Sequence, residues 1–555
     1  MGRSLALASF GLALLAWGCD QQLPPAPPFA GAPAPVRSTA APLAPAAPCA
    51  DSFVPHNLDF TTTVRTPAIH LFDSNGAGVA AGDLDGDGQP DLVFANLDGP
   101  DTIFWNAGGF QFHAEAIDDT NSRAVNIVDV DGDDRPDIVF THRAAGVSVW
   151  HNTGARRFVR QTLPGVLAPA YAMAWGDLSG DNALDLVTGA YAAELEQQLG
   201  NTALFNDLGG VYIYEHHGTG FVAQRLVSQS QALALALPDL GGDGRPDIVV
   251  GNDFALPDAA WLHTAGGWTP TSPFSDTAES TMSFDQADID NDGRPELFAT
   301  DMKPYGVDVH TVAAWLPLMA RMPQTRKPGD PQIMANVLEK RGGDGRFHNE
   351  AASRGLDATG WSWSAQFGDL NNDGWLDLYV VNGMIAAELF HYLPHDELVE
   401  QNQALRNDGT GHFAPAPGWG LGATAGGRGM VMADLNGDGR LDVVVNNLRA
   451  PAQVFENRLC GGASLKVDLR WPDSGNTRAI GARLALHTSA GSYYRDVRAG
   501  SGYLSGDPSQ VHFGFPAGAT PQKLDIAWPD GTVSSIDAPA AGTLLTVTRL
   551  SVARR

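Results

Sequence analysis

The chain of 555 residues is short of several things, and each shortage excludes something. It has only three cysteines, Cys19, Cys49 and Cys460, and no zinc motif. It has 35 basic residues against 63 acidic ones, a formal charge of −28, and such a chain repels phosphate backbones, so nucleic acid is not an expected partner. Its one N-terminal apolar run, residues 5–17, is too short to cross a bilayer, and no other segment could span one. Catalytic spacings are missing as well: there is no nucleophile elbow and no phosphate loop. His391 and His395 stand four apart, but Pro394 between them argues against a helix presenting both, and they read as surface or packing residues. His216-His217 before Gly218 reads as a hairpin turn. No catalytic residue is assigned.

What the chain has in plenty is one acidic loop of nine residues, written seven times. The first copy is Asp83-Leu84-Asp85-Gly86-Asp87-Gly88-Gln89-Pro90-Asp91; the others start at Asp129, Asp177, Asp239, Asp288, Asp369 and Asp434. Side-chain oxygens at positions 1, 3, 5 and 9, with a backbone carbonyl at 7, make a cage for a hard divalent cation, and Ca²⁺ prefers several oxygens in a flexible geometry. Loop 1 offers Asp83, Asp85, Asp87, the Gln89 carbonyl and Asp91. Loop 2 offers Asp129, Asp131, Asp133, Arg135 and Asp137, and loop 3 offers Asp177, Ser179, Asp181, Ala183 and Asp185. Loop 4 has Asp239, Asp243, Arg245 and Asp247, with Gly241 contributing nothing at position 3; loop 5 has Asp288, Asp290, Asp292, Arg294 and Glu296. Loop 6 gives Asp369, Asn371, Asp373, Trp375 and Asp377, and loop 7 gives Asp434, Asn436, Asp438, Arg440 and Asp442. Position 6 is Gly88, Asp134, Asn182, Gly244, Gly293, Gly374 and Gly439, residue types that tolerate a left-handed backbone. The expectation is up to seven structural Ca²⁺, with loops 3 and 4 the weakest. The four ligand positions hold 24 carboxylates, so seven Ca²⁺ would offset half of the −28 charge.

These are not helix-loop-helix sites, which need Glu at position 12 and flanking helices. Position 12 is Phe94, Phe140, Thr188, Val250, Ala299, Val380 and Val445, and position 10 is always aliphatic. The loops therefore lead into buried strands. Successive loops are 46, 48, 62, 49, 81 and 65 residues apart, the short spacings matching a four-stranded blade. After loop 1 come strand runs at 92–96, 102–106 and 110–116, with a Gly108-Gly109 turn; one more strand precedes each loop. The fold class is thus all-β: a seven-bladed β-propeller over 51–458. Insertions are expected at 303–346, with helices near 311–322 and 332–340, and at 383–403. They are read equally as a ligand-facing cap or as packing decoration.

Blade 7 lacks a strand, and its open edge would need one. The candidate lies near 57–65, where Leu58, Phe60, Thr62 and Val64 alternate with more polar residues. If that strand pairs antiparallel with the end of blade 7, Cys49 and Cys460 come close enough to bridge, which suits an oxidising compartment; the alternative is two free thiols.

The loops, with Phe367-Gly368-Asp369 before the sixth, resemble the FG-GAP/VCBS propeller repeats of integrin α-subunit heads. Thr359-Gly360-Trp361-Ser362-Trp363-Ser364 resembles, more specifically, the secreted CRTAC1-like (ASPIC/UnbV) family. So do Asn476-Thr477-Arg478-Ala479-Ile480-Gly481-Ala482-Arg483, Arg498-Ala499-Gly500-Ser501-Gly502-Tyr503, His512-Phe513-Gly514 and Trp528-Pro529-Asp530-Gly531. Phe515-Pro516 departs from the family's usual Leu-Gly. The resemblance spans about residues 60–550 and implies integrin-like calcium loops followed by an ASPIC/UnbV domain at 459–551. The residues of that domain read independently as a small β-sandwich or barrel, since 465–470 and 523–528 alternate strictly. Arg478, Arg483, Arg495 and Arg498 could form a basic patch, but with acids nearby the favoured expectation is that they are dispersed on its solvated surface.

Residues 1–18, ending Leu15-Ala16-Trp17-Gly18 before Cys19, resemble a bacterial lipoprotein signal, with Cys19 lipidated after cleavage and Ala16 a departure from the strongest form. Residues 19–50 are Pro/Ala-rich and read as an extended tether. The function expected is that of an exported, membrane-anchored, calcium-binding and non-enzymatic binding or adhesion module, cell-surface or extracellular. It would be held in the bacterial cell envelope, on its periplasmic side or at the cell surface, with ordinary secretion the alternative to the anchor. Its partner would be a protein or glycan and its only membrane contact the lipid. The alternative is an enzyme with its site under the 303–346 insertion.

Overall fold

A computed structural model describes residues 29–199, 208–254, 256–321 and 329–551; Cys19 and the signal segment lie outside them. Each acidic loop joins the first and second strands of an antiparallel blade. Blades 1 to 5 are four-stranded, blade 6 gains Met302–Lys303 as a fifth strand, and blade 7 borrows its fourth from the N-terminal segment. In blade 1 these strands are Val79–Gly82, Asp91–Phe94, Pro100–Asn106 and Phe112–Thr120. Blade 2 is Ser122–Val128, Asp137–His142, Val147–Asn152 and Phe158–Gln161. Blade 3 begins at Ala172–Gly176, blade 4 at Ala232–Ala236, blade 5 at Phe284–Ala287, blade 6 at Gly360–Gly368 and blade 7 at Gly426–Ala433. The first strands neighbour one another in a closed circuit, blade 7 against blade 1. Adjoining blades share apolar clusters. Leu58, Phe60, Leu92, Phe94, Val431 and Val444 are one such cluster, between blades 7 and 1.

The ring closes with an N-terminal strand. Phe53–Thr61 pairs antiparallel with Pro451–Asn457 of blade 7, Phe53 opposite Asn457. The strand lies four residues earlier than its expected place. Beyond Thr61 the chain leaves the sheet, because the Thr62 hydroxyl donates to Asn446 Oδ1 and the Thr63 and Arg65 backbone N–H groups donate to Asn96 and Asp98. Cys49 and Cys460 form a disulfide with Cα atoms 5.1 Å apart.

The second helix expected in the insertion is instead strand. Val337–Arg341 is the third strand of blade 5, where Leu338 sits opposite Phe298 and is fully buried. The first helix is present as Val309–Met319, capped by Asp308, whose carboxylate accepts from the His310 and Thr311 backbone N–H groups.

The C-terminal domain is two four-stranded sheets, and here the tether expectation fails. Val36–Pro42 pairs antiparallel with Thr543–Arg549 over seven residues as the edge of one sheet, beside Ala463–Arg470 and Val511–Phe515. Residues 36–41 are six in a row without proline in an otherwise proline-studded segment, so every one can donate to a ladder, and Pro42 falls at its end. The chain then crosses loop 7: Ala44 N–H donates to the Gly437 carbonyl at 2.7 Å and Arg440 donates to the Ala47 carbonyl at 3.2 Å. Residues 36–50 therefore lash the C-terminal domain to blade 7.

Candidate metal centres

All seven loops wrap alike. Position 6 has positive φ in every copy, from 69° at Asp134 and Asn182 to 92° at Gly374. Position 4, which the sequence reading passed over, does too: Gly86, Gly132, Gly180, Gly242, Asn291, Asn372 and Gly437 have φ between 53° and 82°. Glycine and asparagine recur at position 4 for that reason. The position 1 carboxylate accepts from the backbone N–H of position 6, as Asp83 does from Gly88 at 3.0 Å and Asp434 from Gly439 at 2.9 Å. The position 5 carboxylate accepts from the N–H of position 7, as Asp87 does from Gln89 at 2.8 Å. Position 9 accepts from position 2 and from the third strand, as Asp91 does from Leu84 and Asn106.

The carboxylates thus converge. Ligand oxygens of Asp83, Asp85 and Asp91 lie within 4.8 Å of one another, as do those of Asp129, Asp131 and Asp137 and those of Asp288, Asp290 and Glu296. Burial drives the innermost acids upward: Asp91, Asp137, Asp288 and Asp369 are pushed to about 7 and Glu296 to about 8, with neighbouring carboxylates adding to the shift. An all-oxygen cage whose charges repel each other this strongly fits a hard divalent cation.

The copies differ in how much of that cage is already spoken for. In loops 3 and 4 the backbone N–H of position 3 (Ser179, Gly241) turns onto the position 9 carboxylate at 2.8 Å, competing for the oxygen a metal would take. In loop 5 the Lys340 ammonium stands among the ligands, 2.7 Å from Asp290 and 3.1 Å from Asp292, and also pairs with Glu296. His151 sits 3.3 Å from Asp131 and 3.1 Å from Asp137 in loop 2. Arg406 is 3.1 Å from Asp373 in loop 6, and Lys466 is 3.1 Å from Asp434 in loop 7.

A repeated asparagine, also missed, fastens the loops to one another. Asn106 Nδ2 donates to the Pro90 carbonyl of its own loop and to the Leu435 carbonyl of loop 7. Asn152 repeats this toward loop 1, Asn407 toward loop 5 and Asn457 toward loop 6. The equivalent residues in blades 3, 4 and 5 are His216, His263 and Arg341. For Asn106, Asn152 and Asn407 the signal was present as an asparagine two residues before a hairpin glycine, which reads as an ordinary turn; Asn457, followed by Arg458-Leu459, carries no such signal.

The C-terminal domain sits on the loop rim and reads the loops' backbone. Donors from it reach the position 6 carbonyl of five loops. Gln510 reaches Gly88, Arg478 reaches Asp134, Ser474 and Asn476 reach Asn182, Arg483 reaches Gly293, and His512 reaches Gly439, at 2.7–3.1 Å. On loop 6, Tyr493 packs so closely that a Cβ on Gly374 would lie 2.4 Å from its ring. The expectation of a dispersed, solvated arginine surface is therefore wrong. Arg478 is buried against loop 2, Arg483 spans to loop 5, Arg495 is half-buried facing Asp369 and Asp288, and Arg498 pairs with Asp285. The acids that repel one another on the rim are what draw these cations in.

From the same domain, Gly500–Gly506 enters the channel between the blades. Gly506 hydrogen-bonds with Val79 and Ala81 of blade 1, Leu504 accepts from Val125 of blade 2, and Gly502 donates to Phe284 of blade 5. The Tyr503 hydroxyl lies 2.6 Å from that of Tyr171 and accepts from the Gly76 N–H. A Cβ on Gly506 would lie 2.8 Å from that of Ala80, so only glycine permits this approach.

The insertions leave from the far ends of second strands and so occupy the opposite rim. There Trp315 is fully buried, its indole donating to Glu400, which also accepts from the Trp361 N–H. Trp361 packs against Trp315 and Phe390. His391 and His395 are exposed.

Family models match both parts of the chain. An "ASPIC and UnbV" family model matches residues 466–553, and an "FG-GAP-like repeat" model matches 83–140, 129–188, 239–299, 334–380 and 395–445. Cartilage acidic protein 1 from Mus musculus and from Homo sapiens are each 32% identical over 124 residues. That stretch is 21% of this chain, but 19% of the mouse and 18% of the human protein, so it spans about a fifth of these relatives' length. Among solved structures, BBS1N in complex with ARL6DN matches at 12% identity and a TM-score of 0.40, over 69% of this chain and 93% of that one. BP39L lectin from Burkholderia pseudomallei matches at 14% and 0.41, over 68% and 95%. With its repeats, its C-terminal segment and this relative together, the chain is a CRTAC1-like protein with FG-GAP repeats and an ASPIC/UnbV domain.

Proposed function

We propose that the protein is an exported, calcium-stabilised propeller that acts as a non-enzymatic binding module at the cell surface or outside the cell. The disulfide and the FG-GAP repeats support an extracellular setting, and no helix among the described residues is long and apolar enough to cross a membrane. The proposed lipid on Cys19 would be the only membrane attachment. Calcium is held by the oxygens of positions 1, 3, 5, 7 and 9. Loops 3, 4 and 5 are the most compromised, by backbone donors on the position 9 carboxylate or by Lys340 on three ligands, whereas in loops 1, 2, 6 and 7 the competing side chain is Arg156, His151, Arg406 or Lys466.

The observation that carries binding over catalysis is the surface of the 303–346 insertion. Val309, Val312 and Leu316 share one face of its helix and are 86%, 46% and 59% exposed, with Val307 beside them at 95%. Underneath, Trp315, Trp361 and Phe390 fill the space where a substrate pocket would be needed, and the Glu400 carboxylate is committed to two N–H donors. An exposed apolar ridge of this kind suits a protein partner better than a glycan. The test is capture of extracellular proteins by the calcium-loaded chain and by a Val309→Asp, Leu316→Asp variant. Capture should be lost with the variant while its melting curve is unchanged; equal capture by both forms contradicts the reading.

A further inference from the structure

The C-terminal domain touches six loops and leaves the fourth open. At that gap a cleft of about 350 Å³ runs between blades 3 to 5 and the domain. Its walls are apolar: Trp175 and Leu233 from the propeller, Ile480, Val497 and Leu504 from the C-terminal domain, with Leu235 half-exposed among them. The Trp175 indole N–H is buried and has no hydrogen-bond partner among the described residues.

The rim is cationic in a chain whose net charge is −28. Arg245 is exposed, and its guanidinium has no ion-pair or hydrogen-bond partner among the described residues. Arg341 reaches the Gly241 carbonyl at 3.1 Å and keeps donors to spare. The acids facing the cleft are engaged elsewhere. Asp177 and Asp239 accept from the backbone of their own loops, Asp285 pairs with Arg498, and Asp496 pairs with Arg483. An apolar trough between two domains, of the size small ligands use, with a free arginine at its mouth, selects for an apolar body bearing one negative group.

We propose that this cleft binds one small amphipathic organic anion, a carboxylate or sulfonate, with its charge on Arg245 and its apolar part against Trp175 and Leu235. The site lies on the opposite rim from the apolar ridge, so it goes beyond the partner-binding reading and needs only the folded chain.

The test uses the full chain saturated with calcium and anilinonaphthalene sulfonate as probe, followed by fluorescence and calorimetry. One dye should bind per chain, displaced by decanoate and not by decyltrimethylammonium. Arg245→Ala, at an exposed position, should weaken binding about tenfold, as loss of one charge-assisted contact does. Ala174→Trp, at a half-exposed position lining the cleft, should abolish it, and Arg449→Ala on a distant exposed turn should leave it unchanged. Displacement by the cation, no saturable binding, or equal affinity in Arg245→Ala would overturn the proposal. A chain that melts normally with calcium yet binds no dye loses this cleft and keeps its role as a module.

Discussion

The Lys340 ammonium lies 2.7 Å from the Asp290 carboxylate and also pairs with Asp292 and Glu296, so one cation bridges three ligand positions of the fifth loop. Burial is offset by the Glu296 and Asp290 carboxylates, which hold the ammonium charged well above the usual lysine range. A tethered cation of this kind competes with calcium at a high effective concentration. Lys340→Met should therefore add about one bound Ca²⁺ per chain. It should also make the fifth blade more sensitive to chelator. Elemental analysis after gel filtration checks the count, and an unchanged stoichiometry would show that Lys340 does not occupy the site.

The repeated asparagine makes a second contrast. Asn407 is buried and donates to both the Leu376 and Ile289 carbonyls, so Asn407→Ala orphans two acceptors across a blade interface. The expected cost is about 2–4 kcal/mol. His263→Ala, at the equivalent place in blade 4, where no such staple exists, should cost under about 1 kcal/mol. Urea midpoints measured with calcium present check the order; equal losses would argue against the staple.

The pH response follows from the buried acids. Asp91, Asp137, Asp288 and Asp369 are raised to about 7 in the folded, metal-free chain, above an unfolded value of about 4. A raised folded pKa means stability present at low pH and lost as pH climbs through about 7. In chelator the melting temperature should therefore be higher at pH 6 than at pH 8. With calcium bound, the loops stay ionised and this order should vanish or reverse, because protons compete with the metal. Melting curves at the two pH values, with and without chelator, decide it.

The disulfide joins residues 411 apart, so the chain-entropy model allows up to about 6 kcal/mol of stabilisation. Cys460→Ser should lower the unfolding midpoint in oxidised protein and abolish the effect of added reductant. A variant as stable as the parent would mean that pairing of Phe53–Thr61 with blade 7, and not the bridge, holds the ring.

How much of this was legible in the sequence depends on how local the cause is. The loops, the blades and the left-handed position 6 lie within nine-residue windows and repeat, so they could be read directly. The closing strand was visible as an alternation, but where it ends depends on Thr62 meeting Asn446, 384 residues away. Arg478, Arg483, Arg495 and Arg498 read as ordinary surface arginines because their partners, such as Asp134 and Asp285, lie in distant blades. The same holds for Gly502 and Gly506, whose need for glycine arises only inside the channel. Lys340 was placed in a helix because the pattern around it lacks strict alternation, and its strand is held by Phe298 and Leu297 across the blade.

The central claim is that calcium holds this propeller together, and thermal melting of the full chain tests it most directly. Chelation by EGTA should lower the melting temperature steeply, added calcium should restore it, and Asp434→Ala should destabilise far more than Asp239→Ala. A melting curve indifferent to EGTA, in protein found free of calcium by elemental analysis, would contradict the account.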